Sequence, residues 1–167
     1  MFSLRRLDIY LNDHLAGATV GLALARRAAA ENAGTSLGDF LEQLSREIAE
    51  DRETLEAVMA RLDVDRSSAK PAAAWLMEKV GRLKLNGQLR GYSPLSRLVE
   101  LEALETGVTG KRCLWQALSQ ALLGDVRLQE LDFSALIARA ERELAAIGEH
   151  RRAAASAALL EPEPSAR

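Results

Sequence analysis

At 167 residues the chain is long enough for one compact domain that removes roughly 68–70% of its unfolded surface from water. A formal net charge of −2 lacks the cationic excess that displaces counterions from a phosphate backbone, which excludes a general nucleic-acid binder. The single cysteine, Cys113, cannot close an internal disulfide, and with no Cys-x-x-Cys pair or Cys/His cluster there are no ligands for zinc or redox-pair chemistry.

Alanine and leucine each occur 29 times, whereas valine, isoleucine and threonine together occur 16 times, so straight-chain helix formers dominate and an all-α domain is expected. The basic start, with Arg5 and Arg6, is followed by Asp8, Asn12, Asp13 and His14, which interrupt the apolar stretch of a secretory signal. The longest uncharged runs, residues 15–25 and 113–124, fall short of the roughly 20 residues that span a bilayer. A soluble cytoplasmic protein without a membrane or nucleic-acid partner is the expectation. Residues 1–160 form one bundle domain in this reading, and residues 161–167, with two prolines, form a disordered tail.

The first helix is predicted over residues 3–32, where Leu4, Leu7, Leu11, His14, Ala18, Gly21 and Ala25 recur at helical spacing. Gly34 ends it, and Thr35 or Ser36 supplies a capping hydroxyl for a second helix. Its seam reads Leu37, Leu41, Leu44, Ile48, Asp51, Leu55, Val58 and Leu62. Pro71 opens a short connecting helix with an apolar stripe of Trp75, Leu76, Val80 and Leu83, and the turn-forming residues Asn86, Gly87 and Gly91 follow. Ser93 and Pro94 then start a third long helix through Leu98, Leu101, Leu104, Val108, Trp115, Leu118 and Leu122, with Gly107 and Gly110 expected to bend its middle. Asp132 caps a fourth, with Phe133, Ile137, Ala140, Leu144, Ile147, Arg151, Ala154 and Ala158 on its seam. Gly17 and Gly21 are read as points of close helix approach, Cys113 as a buried inert thiol, and Trp75 and Trp115 as packing residues.

Two hairpins joined by about thirty residues predict a four-helix bundle with one long crossover that contains a short extra helix. Helix order, crossover position and polar residues on the seams resemble the ferritin-like superfamily over about residues 3–158. The resemblance implies two iron or manganese ions held by a Glu from each of two helices and a Glu-x-x-His pair from each of the others. The chain departs from that motif twice, because Ile147 stands three residues before His150 and Leu11 three before His14.

Equal counting from the hairpin turns places His14 near Asp51, and Glu105 near Arg151 and His150, with Glu47 and Glu102 one turn away. The preferred reading is structural: a buried His14–Asp51 pair fixing register and a Glu105–Arg151 ion pair at the core rim, in a non-catalytic bundle that has lost its metals and needs no cofactor. The alternative is a divergent metal-binding or oxidoreductase bundle using iron or manganese at His14, Glu47, Asp51, Glu102, Glu105 and His150.

Charge is unevenly distributed. Lys79, Arg82, Lys84, Arg90 and Arg97 give the crossover +5 with no acid between them, whereas residues 39–65 carry nine acids and three bases. The basic stretch packs on its own acidic helix, docks on a neighbouring subunit, or receives an anion. Lys79, Arg82, Lys84, Arg90, Tyr92 and Arg97 are the candidate partner or anion contacts, and a homodimer is expected, with a further protein partner as the other candidate.

Overall fold

The computed structural model describes residues 4–66 and 92–160. They form four long helices and no strand: α1 (Leu4–Glu31), α2 (Ser36–Arg61), α3 (Pro94–Ala121) and α4 (Phe133–Leu159), with a 3-10 turn at Val126–Leu128. No helix among the described residues is long and apolar enough to cross a membrane.

The helix ends follow from local chemistry. Gly34 adopts a positive φ of 77°, which glycine reaches without a Cβ penalty, and Thr35 then accepts the Gly38 N–H as the N-cap of α2. Gly38 itself is required, since a Cβ there would meet the Asn32 carbonyl oxygen at 2.2 Å. Ser93 accepts the Ser96 N–H ahead of Pro94, whose missing N–H is one that a helix start leaves unpaired. Asp132 accepts the Ala135 N–H to start α4.

Cross-helix contacts fix the directions. Arg27 near the end of α1 meets Glu100 near the start of α3, Phe40 at the start of α2 stacks on His150 late in α4, and Lys111 and Glu105 of α3 meet Glu143 and Arg151 of α4. Helices α2 and α3 therefore run the same way, opposite to α1 and α4. The chain leaves α2 beside the beginning of α1, where Asn12 donates to the Asp65 carbonyl. It enters α3 beside the end of α1, where Asn32 donates to the Tyr92 hydroxyl.

The core has two apolar parts. One gathers Leu24, Leu44, Ile48, Leu101, Leu104 and Ile147, and the other gathers Leu11, Leu55, Met59, Trp115, Leu118 and Leu128. Asp51 falls between Ile48 and Leu55 on α2, and Lys111 between Val108 and Leu114 on α3, so a charged layer lies where the two parts meet. The predicted short helix after Pro71, with Trp75, lies outside the described residues, as does the predicted tail.

Helix α3 runs without a break through Gly107 and Gly110. One expectation about it changes. Cys113 is exposed, because Leu114 and Trp115 take the inward positions and turn residue 113 toward solvent.

Candidate functional site

The mid-bundle layer is built on Lys111. Its ammonium lies 2.5 Å from Asp51 Oδ2 and 2.5 Å from Glu143 Oε2, joining α2, α3 and α4. Arg139, one turn before Glu143 on α4, donates to Asp51 Oδ1 at 3.2 Å and to Glu50 Oε2 at 2.9 Å. The Asp51 and Glu143 side chains are both 3% exposed, so each carboxylate is stable as an anion only while cations face it. Burial pushes the Glu143 carboxyl up to about 7 against the pull of Lys111, and Asp51 and Glu47 push the same way. Glu143 Oε1 has no hydrogen-bond partner among the described residues, which adds to the cost of ionising the group.

The expected His14–Asp51 pair is replaced by this layer. His14 meets the ring of Tyr10 edge-on, with centroids 4.6 Å apart, and burial lowers its pKa against the nearby charge of Asp13. A side chain as long as lysine reaches the bundle centre from α3 and takes the carboxylate that His14 would have needed. His150 is also occupied, stacked on Phe40 with centroids 4.6 Å apart.

Of the remaining candidate ligands, Glu47 accepts from Gln43 on the surface, Glu102 is exposed, and Glu105 pairs with Arg151 as expected. No group of three or more His, Cys, Asp or Glu side chains among the described residues is arranged to hold a metal ion.

Lys79, Arg82, Lys84 and Arg90 lie outside the described residues. Tyr92 and Arg97 are half-buried and bonded within the bundle. Tyr92 donates to Glu100 Oε2 and accepts from Asn32, Arg97 donates to Asn32 Oδ1 and lies over the Tyr92 ring, and Arg27 holds Glu100 Oε1. Burial, aided by the charge of Glu100, raises the Tyr92 hydroxyl to about 12, while the Asn32 hydrogen bond opposes the shift. This network ties the α1–α2 turn to the entry of α3.

A groove of about 700 Å³ runs between α1 and α3, with α2 as its floor. Gly17 and Gly21 line it from α1, Gly107 and Gly110 from α3, and a Cβ added at any of the four would meet nothing within 4 Å among the described residues. Open space at Gly17 and Gly21 replaces the close approach expected of them. No family model, curated protein or solved structure matches the chain.

Proposed function

We propose that the protein is a non-catalytic, ferritin-like helical bundle that acts through protein–protein contacts, with an ion-pair layer in the place of a di-metal centre. The observation that carries this reading is the position of the Lys111 ammonium between two buried carboxylates from different helices. A bound cation would need those same oxygens. The donor set does not suit iron or manganese, since both histidines are held in ring contacts, His14 with Tyr10 and His150 with Phe40, and both central acids are engaged by Lys111. Parallel α2 and α3, with the chain leaving α2 beside the start of α1 and entering α3 beside its end, support the ferritin-like reading through their long crossover.

We place assembly at the α3–α4 turn, where Leu123 and Val126 are 88% and 74% exposed, and assign the protein a homodimeric state. Metal analysis of protein purified without chelator tests the central reading. Sub-stoichiometric iron and manganese, with the same melting curve in either ion and in chelator, are the expected result. One or two equivalents of retained metal would overturn it.

A further inference from the structure

We draw no further inference here: the strongest candidate, the apolar groove between α1 and α3 lined by Gly17, Gly21, Gly107 and Gly110, carries nothing because the ammonium of Lys111 on its wall is already held by Asp51 and Glu143, the Trp115 indole nitrogen is buried out of an occupant's reach, and nothing in the structure shows what covers it.

Discussion

Lys111 on α3 and Asp51 on α2 lie 60 positions apart and meet at 2.5 Å, with Glu143 of α4 on the other side of the same ammonium. A single cation thus bridges two buried acids at the level where the two apolar parts of the core join. Removing it exposes the cost of the whole layer. Lys111→Met should destabilise the fold by about 3–5 kcal/mol in urea denaturation, because Asp51 and Glu143 lose their shared counter-charge. The triple variant Lys111→Met, Asp51→Leu, Glu143→Met should recover most of that loss, since an apolar layer leaves no charge uncompensated. A triple variant as unstable as the single one would contradict this account.

Glu143 makes stability depend on pH in a defined direction. Its carboxyl is raised to about 7 from an ordinary value of 4.5, so the folded state binds the proton more tightly than the unfolded chain. Its favourable contribution is complete below about pH 4.5 and is lost as pH rises through about 7. Glu143→Gln mimics the protonated acid and should differ little from the parent near pH 5. Between pH 5 and 8 the difference should move steadily in the variant's favour. Denaturation at several pH values measures it, and a constant difference would contradict the burial of this group.

Glycines in two settings should respond oppositely to alanine. At Gly17 or Gly110 the new methyl group meets open space within a helix, and the substitution should stabilise by about 0.5–1 kcal/mol. At Gly38 the same methyl group runs into the Asn32 carbonyl oxygen, so the α1–α2 turn must shift and Tm should fall. Thermal melting of the three single variants distinguishes the two behaviours.

Tyr92 joins Asn32 to Glu100 and is held near pKa 12 by burial. Ultraviolet titration of the native protein should show a tyrosine that ionises well above the usual value near 10, and Tyr92→Phe should remove that late step. The variant should also lose about 1–3 kcal/mol, because Asn32 and Glu100 each lose a partner in a half-buried setting.

Helix number, order and caps were legible in the sequence because they depend on near neighbours. Gly34, Thr35, Ser93, Pro94 and Asp132 act within a turn of their own positions. The Glu105–Arg151 pair was also within reach, since counting from a short turn sets the register of adjacent helices. Lys111 was not, because its role depends on α2 and α4 converging on α3. Glu143 was missed at two points of the α4 seam: Ala140, Ile147 and Ala154 are buried as expected, but Leu136 and Glu143 are buried in place of Ile137 and Leu144, which are partly exposed. A charged residue at regular spacing within an apolar stripe was the available signal. Arg151 reaches Glu105 while partly exposed, at the rim of the core as expected. The groove was hidden because glycine at a helix crossing reads alike whether the neighbouring helix comes close or stays away.

The most direct test of the central claim is anomalous diffraction from crystals grown with millimolar manganese. The account predicts no anomalous peak between Asp51 and Glu143, with the Lys111 side chain filling that position. A manganese peak bridging those two carboxylates, with Lys111 turned aside, would contradict it.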